Sequence, residues 1–499
     1  MKQLLILARL GNAALYIFLI LFFLLLPCIL IWQNIHDPGL QNGRIPAFVF
    51  EHHRAISGRY ADWARERIAS GRASKLTVND ISGTEWPLFG SVFYLITTEA
   101  LQDEWGKRRQ ESEPEPKEYA REAIKQAITL ITDTNHATWV IDHWGPHYLT
   151  HQDLFYRTLL IAGITSYEKL TGDTTHHTLL SNQVFSLSEE IDRSRYGLLE
   201  DYPRECYTVD VLPASAYFLR AAPLLNTNFT AFIEHEKRAC SGWILDPLTG
   251  LPAYQIDLER GCRVGPSRGT GNSYMLIWTP ELWLEKTKEL YTAYETYFWQ
   301  EKYGLAGFRE FSTNIITDDF WADVDSGPVI AGFSTAASAF GIAAARACGR
   351  FDHAYPMSAE AILAAWPLPN HTWLIPRLLS NSTDASFIGD QALLFIFSRR
   401  PIIEMPATVK PSIPVFVLIF LTTVFIICCY LLIREVIYTA KSCSALYKQK
   451  IPIPRLQTAC WIVLAGTAIF FLLYSTAWIG LLILLCAHFL PQASRSVKR

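Results

Sequence analysis

The chain has 499 residues, of which 50% are apolar and 18% are charged, and its formal net charge is −3. This length exceeds one typical hydrophobic core, and the apolar fraction is high for a protein without membrane segments. Lysine and arginine are scattered except beside the apolar segments, which argues against nucleic acid as a partner. We therefore expect one large domain with membrane-spanning segments attached.

Two segments, residues 12–32 and 413–433, carry no charge and are long enough to span a bilayer. Lys2 and Arg9 precede the first segment, and a basic stretch follows the second. The positive-inside rule places these flanks in the cytoplasm and the large domain outside it. We expect a multi-pass protein of a bacterial inner membrane, with its large domain on the periplasmic or extracellular side.

The spans set the domain boundaries. The apolar region near the C-terminus fits one long or two short spans, and the sequence leaves both open. The predicted parts are an N-terminal anchor (1–34), an extracytoplasmic domain (35–411), a transmembrane helix (412–434), a basic cytoplasmic loop (435–458), the apolar region (459–490) and a basic tail (491–499).

Apolar residues recur with helical periodicity through most of residues 46–400. Gly172 and Gly349 are typical of helix C-termini, and Pro328 is typical of a helix start. These signals predict helices over residues 47–70, 85–108, 117–132, 152–171, 175–193, 210–222, 228–239, 272–285, 286–300, 327–347, 353–365 and 385–399.

Twelve helices suggest six hairpins, which close most economically as an (α/α)6 toroid with a substrate funnel at one end. Helix 327–347 has apolar or small residues on all sides, as an inner helix requires. Residues 242–269 alternate around turn residues and predict a short β-hairpin. The predicted fold class is mainly α: an (α/α)6 toroid or barrel with a β-hairpin insertion and transmembrane helices at both ends.

The cysteines and histidines give no metal-site spacing. Cys240 and Cys262 flank the predicted hairpin, and their separation permits a disulfide without requiring one. Gly145-Pro146 breaks any helix through the histidines at 143, 147 and 151. We expect a loop at the funnel mouth in which one histidine transfers protons, and we name His147 as a substrate contact.

Four motifs follow one another in an order that resembles the linalool dehydratase/isomerase family. They are DLFYRTLLIAGITSYEKLTGD, LLEDYPRECYTVD, GLPAYQID with GPSRGTGNSYMLIWTPEL, and FREF with DVDSGPVIAGFSTAASAFGIAAARACGR. The resemblance covers most of residues 85–350. It implies an (α/α)6 barrel and cofactor-free acid–base chemistry on a tertiary allylic alcohol.

The chain departs from this family at the catalytic positions. The family's loop carries two cysteines nine residues apart around Glu-Pro-Asp-Asn. When the loops are aligned on Pro203, the cysteine positions are Asp201 and Asp210, and the glutamate position is Tyr202. The family's histidine is Leu159 in this chain. The resemblance therefore implies the barrel and the funnel position, whereas acids in place of thiols imply different chemistry.

Asp201 and Asp210 form the first predicted acid–base pair. Such a pair needs two carboxylates in different surroundings, so that one keeps its proton while the other ionises. Asp210 opens an apolar helix, where burial raises its pKa and the helix N-terminus lowers it. An N-cap is the alternative role for Asp210. Cys206 lies between the acids, but the sequence identifies no base to activate it.

Glu310 and Asp325 form the second acidic group. Asp325 lies just before the predicted helix 327–347, so helix capping is its alternative role. Capping explains neither Asp323 nor Arg309. An arginine among carboxylates is usually a structural ion pair, although in a funnel it can also orient a hydroxyl-rich or anionic substrate.

Other polar and aromatic residues precede predicted inner helices. Trp86 belongs either to a helix start, with Thr84 as cap and Pro87 in the first turn, or to a stacking platform. Asn272 fits a substrate contact or an N-cap. The predicted catalytic residues are Asp201, Asp210, Glu310 and Asp325, and the predicted substrate-binding residues are Trp86, His147, Tyr156, Tyr202, Cys206, Tyr254, Arg268, Asn272 and Tyr274.

We expect a membrane-anchored enzyme that dehydrates or isomerises a small alcohol or terpenoid by carboxylate acid–base catalysis, with no cofactor and no metal. The alternative is glycoside hydrolysis or polysaccharide elimination on an envelope or external glycan, since other α/α toroids use paired carboxylates. A third hypothesis is a non-catalytic glycan-binding or scaffold protein. The lipid bilayer is the other expected partner, and the sequence leaves a homo-oligomer open.

Overall fold

The structure is a computed structural model, and it is mainly helical over the residues that it describes. The predicted apolar region 459–490 lies outside the described residues apart from Thr467, and so do the end of the predicted basic loop and the tail. The described residues are 2–77, 80–108, 114–316, 320–448 and 467.

The helices account for most of the described chain. A π-helical turn joins the first two, so that they continue as one long rod. The helices are α1 (Lys2–Ile20), α2 (Leu26–Ile35), α3 (Gly39–Asn42), α4 (Ala47–Ser70), α5 (Ile81–Arg108), α6 (Pro116–Tyr119), α7 (Arg121–Ile131), α8 (Thr138–Trp144), α9 (Leu154–Thr171), α10 (His177–Arg193), α11 (Val211–Ala221), α12 (Thr230–His235), α13 (Gly269–Leu282), α14 (Leu284–Phe298), α15 (Thr335–Ala347), α16 (Phe351–Ala365), α17 (Leu374–Ser380), α18 (Ile388–Ser398) and α19 (Val415–Tyr447).

A long apolar helix lies at each end of the described chain. Arg9–Asn42 and Val415–Tyr447 are 34 and 33 residues long, and their most apolar windows have mean hydropathies of 3.0 and 2.9. Length and composition allow each to cross a membrane, which confirms the predicted apolar helices at both ends. The second helix also runs through the first part of the predicted loop 435–458.

The chain divides into two compact units. The smaller unit contains Met1–Leu30 and Ile419–Arg499, and the larger unit contains Ile31–Leu418. Both boundaries fall inside helices, α2 and α19, so each long apolar helix begins or ends within the larger unit.

Six helices of the larger unit pack in a cyclic order. Helix α5 packs against α9, α9 against α11, α11 against α13, α13 against α15, α15 against α18, and α18 against α5 again. A second set packs against these six: α7 on α5, α10 on α9, α14 on α13, α16 on α15 and α17 on α18. Helix α9 is buried over almost its whole length, as a helix enclosed on several sides must be.

The predicted helix 327–347 is wrong over its first third. Gly327–Ile330 is a strand, and α15 begins only at Thr335. Ser334 caps this helix, because its hydroxyl accepts a hydrogen bond from the Ala337 N–H at 3.2 Å. The predicted C-terminal role of Gly349 is confirmed, since it follows the helix with a φ of 71°.

The predicted start of helix 85–108 is also wrong, because α5 begins at Ile81 and contains Pro87 in its interior. A proline has no N–H to donate to the carbonyl four residues earlier, which here belongs to Gly83. The Arg67 guanidinium donates to that carbonyl instead. A side chain from α4 therefore replaces the lost backbone hydrogen bond, and the helix continues through the proline.

Short antiparallel strands fill the loops between the helices. Strands β2 and β3 pair within the segment 242–269. Cys240 precedes this pairing and Cys262 is the first residue of β3, and both cysteines are free. The strands between residues 299 and 334 are not predicted from the sequence. The sheets are β1 (Cys206–Tyr207) with β2 (Gln255–Asp257) and β3 (Cys262–Val264), β4 (Trp299–Lys302) with β5 (Leu305–Phe308), and β6 (Phe320–Asp323) with β7 (Gly327–Ile330) and β8 (Phe333–Ser334).

Two helical glycines provide a matched test of the packing. A Cβ at Gly341 would overlap the buried ring of Phe308, whereas a Cβ at Gly58 meets nothing within 4 Å. We expect Gly341→Ala to destabilise the protein by about 1–3 kcal/mol through overpacking. We expect Gly58→Ala to stabilise it by up to about 1 kcal/mol, because alanine loses less backbone entropy in a helix. Thermal unfolding of both variants in detergent micelles measures this, and equal effects would contradict the packing of α15 on β5.

Candidate active site

A cavity of about 600 Å³ lies where the six cyclically packed helices begin. Its lining includes Glu85 from the second turn of α5, Phe155 from the start of α9 and Ile388 as the first residue of α18. Asp210 directly precedes α11, and Asn272 lies in the first turn of α13. The wall is therefore built from helix starts and the loops that precede them, which are far apart in the sequence.

The lining combines an apolar set with an acidic and phenolic set. Such a composition can hold an apolar ligand while presenting a few groups that titrate. The apolar set includes Ile81, Phe89, Phe93, Phe155, Val209, Phe340, Ile388 and Ala392. The polar set includes Glu85, His143, Asp201, Tyr202, Glu205, Tyr207, Asp210, Tyr254, Arg268, Thr270, Asn272, Tyr274, Glu310 and Asp325.

The structure brings together most of the site residues that the sequence predicts. All four predicted catalytic acids line the cavity, together with Trp86, Tyr202, Tyr254, Arg268, Asn272 and Tyr274. The remaining predicted contacts, Tyr156, Cys206 and His147, lie elsewhere. The chemical role of each residue depends on its own surroundings.

Asp201 is buried in the loop before β1. Its Oδ2 accepts a hydrogen bond from the Tyr207 N–H at 2.9 Å, and its Oδ1 has no hydrogen-bond partner among the described residues. Burial is the largest cause that raises the pKa of Asp201 well above its usual range, and the nearby Asp210 carboxyl is the second. Burial therefore favours the protonated form of this carboxyl, and its Oδ1 is available to a ligand.

Asp210 precedes α11 without capping it. Its side chain makes no hydrogen bond to the N–H groups of the first turn, so the N-cap alternative is wrong. The pKa of Asp210 is raised to about 7, mainly by burial and to a smaller extent by the Asp325 carboxyl. The helix N-terminus favours the ionised form but is outweighed. Asp210 therefore exchanges its proton near neutral pH.

Glu85 is a cavity residue that the sequence analysis missed. Its Oε1 accepts a hydrogen bond from the Tyr202 hydroxyl at 2.7 Å. Burial raises the pKa of Glu85 to about 7, although the bond from Tyr202 favours the ionised form. The motif TEWP predicts a helix start at Thr84, and that interpretation assigns no role to the acid. Because α5 begins a turn earlier, Glu85 instead points into the cavity from within the helix.

Glu310 is buried with both carboxylate oxygens engaged. Its Oε1 accepts a hydrogen bond from Arg268 Nε, and its Oε2 accepts one from the Thr270 hydroxyl, each at 2.6 Å. Arg268 also forms an ion pair with Asp323 at 2.7 Å. A carboxylate held this way positions its partners, so the geometry favours a structural role for Glu310 over the predicted catalytic one.

Asp325 lies at the exposed tip of the β6–β7 hairpin. It caps no helix, because α15 begins ten residues later with Ser334 as its cap. Its Oδ2 accepts a hydrogen bond from the Tyr254 hydroxyl at 2.6 Å, and Tyr254 packs edge-on against Tyr207 with ring centroids 5.2 Å apart. An acid and two phenols therefore meet at this part of the cavity.

Asn272 and Tyr274 line the cavity from α13. The Asn272 amide donates to the Arg268 carbonyl at 2.8 Å, so it is not the N-cap, and its Oδ1 has no partner among the described residues. Tyr274 packs edge-on against Phe340 at 5.2 Å, and burial raises its pKa well above the usual range. Both side chains offer a polar atom to a ligand beside an apolar surface.

Two predicted contacts lie inside the packed core. Tyr156 is buried, with its ring 6.1 Å from that of Trp139 and 5.8 Å from that of Tyr148. Cys206 is buried in β1 opposite Ile256, and burial raises the pKa of its thiol well above the usual range. A nucleophilic cysteine needs a lowered pKa, so Cys206 is a structural residue.

The histidine of the cavity is His143, not the predicted His147. His143 lies on α8, where a loop was predicted, and its ring meets that of Tyr202 edge-on at 6.0 Å. Its Nε2 is buried with no partner among the described residues. His147 is exposed in the turn after Gly145, because the Gly145-Pro146 pair ends α8 as predicted.

One cluster outside the cavity has the ligand types of a metal site. Asp192, His235 and Glu236 bring ligand atoms within 4.8 Å of one another. Arg238 donates to Glu236 Oε1 at 3.0 Å and already supplies a positive charge there. This cluster is therefore an ion-pair group, and the described residues that line the cavity form no comparable cluster.

No protein-family model and no curated protein matches the chain. The resemblance to the linalool dehydratase/isomerase family therefore rests on the sequence motifs alone. In the cavity, the carboxyls of Glu85 and Asp210, each with a pKa raised to about 7, and that of Asp201, whose pKa is raised well above its usual range, adjoin apolar side chains.

The raised pKa of Asp210 makes stability depend on pH. Its folded pKa of about 7 lies above the unfolded value near 3.8, so the folded state loses stability as pH rises between these values. Asp210→Asn removes this loss. We expect the variant to be more stable than the wild type by on the order of 3 kcal/mol at pH 8, and by much less at pH 4.

Thermal unfolding in detergent micelles at both pH values measures the difference. Asp62→Asn is the control, because the Asp62 side chain is 77% exposed and should give the same small difference at both pH values. A pH-independent difference for Asp210→Asn would contradict the raised pKa.

Proposed function

We propose that the protein is a membrane-anchored enzyme that dehydrates or isomerises an apolar alcohol by carboxylate acid–base catalysis in the cavity. The main support is the pair of Asp201 and Asp210, which line one cavity, have raised pKa values and differ in their surroundings: Asp201 is buried and accepts a hydrogen bond from the Tyr207 N–H, whereas Asp210 is half-buried and does not cap α11. A proton donor and a proton acceptor can therefore be present together near neutral pH. The motif resemblance to the linalool dehydratase/isomerase family points to the same reaction class.

Asp201 has the properties of the acid. Its raised pKa favours the protonated form, and its Oδ1 makes no hydrogen bond among the described residues. Transfer of that proton to the substrate hydroxyl turns it into water, which leaves with the electrons of the C–O bond. Asp210, with a pKa of about 7, then accepts a proton from the neighbouring carbon, and those C–H electrons form the alkene.

The apolar lining suits the rest of such a substrate. Phe89, Phe93, Phe155 and Phe340 offer ring faces and edges to a hydrocarbon chain. Ring faces also stabilise a developing positive charge on carbon when the hydroxyl leaves. These side chains offer no hydrogen bonds to the many hydroxyls of a sugar, which favours an isoprenoid or lipid alcohol over a glycan.

Glycan cleavage is the second candidate. Trp86 and the Tyr207–Tyr254 pair supply aromatic surfaces beside Asp201, Asp210 and Asp325, and paired carboxylates are the groups that glycosidases use. A glycan-binding protein without catalysis would use the same surfaces. Both are distinguished from the first candidate by the substrates tested below.

We further propose that the larger unit is an (α/α)6 toroid with the cavity as its funnel. The cyclic order of the six helices and the common position of their starts support this arrangement. The basic flanks of the two apolar helices support an orientation with this unit in the periplasm or outside the cell. In that orientation the cavity takes substrates from the envelope.

Removing either acid should abolish turnover. We expect Asp201→Asn and Asp210→Asn each to lower the rate by about 10²–10⁴-fold, since proton transfer supplies a factor of that order. The full-length chain in detergent micelles is incubated with a panel of tertiary and primary allylic alcohols and, separately, with oligosaccharides. Alkene formation is followed by gas chromatography and sugar release by mass spectrometry.

Asp62→Asn is again the control and should be as active as the wild type. Sugar release that depends on Asp201 would replace the alcohol hypothesis with the glycan one. Full biological activity in both acid variants, with folding retained, would indicate a non-catalytic protein.

The proposed topology has its own test. A cytoplasm-active reporter fused at Ser442, in the basic part of α19, should be active, and a periplasm-active reporter at the same position should be silent. A matched fusion at Gly172, after α9, should show the reverse. Periplasmic activity at Ser442 would overturn the orientation without affecting the proposed chemistry.

A further inference from the structure

The β6–β7 hairpin has an exposed face that is wholly apolar. Phe320 and Ile330 are cross-strand partners, as are Ala322 and Pro328, and all four are exposed. Phe320 is 64% and Ile330 60% exposed. The solvated face of an antiparallel sheet normally carries polar side chains, so this face has the composition of a surface that meets an apolar partner.

The opposite face of the hairpin holds it on the cavity wall. The Arg268 guanidinium lies 4.8 Å from the centre of the Trp321 ring and pairs with Asp323 at 2.7 Å. At the tip, Val324 is exposed and also lines the cavity, next to Asp325. The hairpin therefore connects an exposed apolar face with the interior of the cavity.

The neighbouring β4–β5 hairpin meets the start of the apolar helix α19. Gln300 Nε2 of β4 donates to the Ala331 carbonyl at the end of β7, at 3.4 Å. In the β4–β5 turn, the Gly304 carbonyl accepts a hydrogen bond from the Phe416 N–H in the first turn of α19, at 3.1 Å. Tyr303 in the same turn is 72% exposed, and tyrosine is typical of the membrane–water interface. The apolar face thus lies one hairpin away from the point where a membrane-length helix begins.

We propose that the outer face of the β6–β7 hairpin inserts into the acyl-chain region of the bilayer surface and that apolar alcohols pass from the lipid into the cavity beside Val324. The occupant is uncharged lipid, because β6, β7 and their turn carry no lysine or arginine that would attract anionic headgroups. Asp323 and Asp325 are paired with Arg268 and Tyr254. Substrate delivery, but not lipid contact, rests on the proposed alcohol chemistry.

Photo-crosslinking tests the lipid contact without any turnover. The full-length chain with Phe320→benzoylphenylalanine or Ile330→benzoylphenylalanine is reconstituted into phosphatidylcholine vesicles and irradiated. We expect the intact mass to rise by one phosphatidylcholine at both positions. The matched control is Phe185→benzoylphenylalanine on α10, where a single apolar side chain is 45% exposed, and it should give no lipid adduct.

Other products would overturn the proposal. A crosslink to a second copy of the chain would show that the face is a protein interface, and the absence of any adduct at positions 320 and 330 would show that it faces water. All three substitutions replace exposed side chains, and an unchanged unfolding temperature verifies that each variant is folded.

The double variant Phe320→Ser with Ile330→Ser separates delivery from chemistry. We expect a several-fold lower rate with a long-chain allylic alcohol dissolved in the vesicles, and an unchanged rate with a short water-soluble one. Equal rates with the long alcohol would overturn delivery. If the lipid adduct forms while neither alcohol is converted by the wild type, the proposed reaction fails and the membrane contact stands.

Discussion

The buried ion pair of Arg268 and Glu310 organises the wall on which the rest of the cavity depends. Removing one partner of a buried pair leaves an uncompensated charge, which is strongly destabilising. The Glu310 carbonyl also accepts a hydrogen bond from the Gly269 N–H at 2.8 Å, and a Cβ at Gly269 would overlap the Arg309 carbonyl. The loop after β5 is thereby fixed against the first turn of α13, and the same guanidinium reaches the β6–β7 hairpin.

The distribution of cations decides which acids of the larger unit have a lowered pKa and which have a raised one. At the C-terminal ends of α11 and α13, Glu281 is held by Arg220 and Arg399, and these cations lower its pKa to about 2 despite burial. Asp201 is buried and Asp210 is half-buried, but neither is paired with a cation among the described residues, so burial and neighbouring carboxyls raise their pKa values. Arginines thus hold Glu281 and Glu310, whereas Asp201 and Asp210 are paired with no arginine among the described residues.

The sequence predicted what depends on local patterns. Ala47–Ser70 has the bounds expected from periodicity, because a helix that buries a continuous stripe repeats its signal every turn. The order of the loops was also enough to predict that Asp201, Asp210 and Asp325 line one cavity. Each of these inferences uses residues that are neighbours in the chain or precede successive helices.

The wrong predictions have two causes: contacts between residues far apart in the chain, and elements too short to show a period. By a local rule Pro87 predicts a helix start, and only the fold shows that Arg67 donates to the carbonyl that the proline leaves free. Because the helix start is misplaced, the sequence does not predict Glu85 as a cavity residue. Strands β4–β8 have two to four residues each, too few for a period-two pattern, and their pairing depends on turns rather than composition. The predicted start of α15 is too early because the short strand Gly327–Ile330 likewise shows no period-two pattern.

The common starting point of the six cyclically packed helices has a consequence for how the protein can change. The packing that stabilises the larger unit lies along the helices, whereas the cavity is formed by their first turns and preceding loops. Loops tolerate insertion and substitution far better than helix interfaces do. One framework can therefore acquire a new ligand preference through single loops, each altering one sector of the cavity wall, while its stability stays nearly constant.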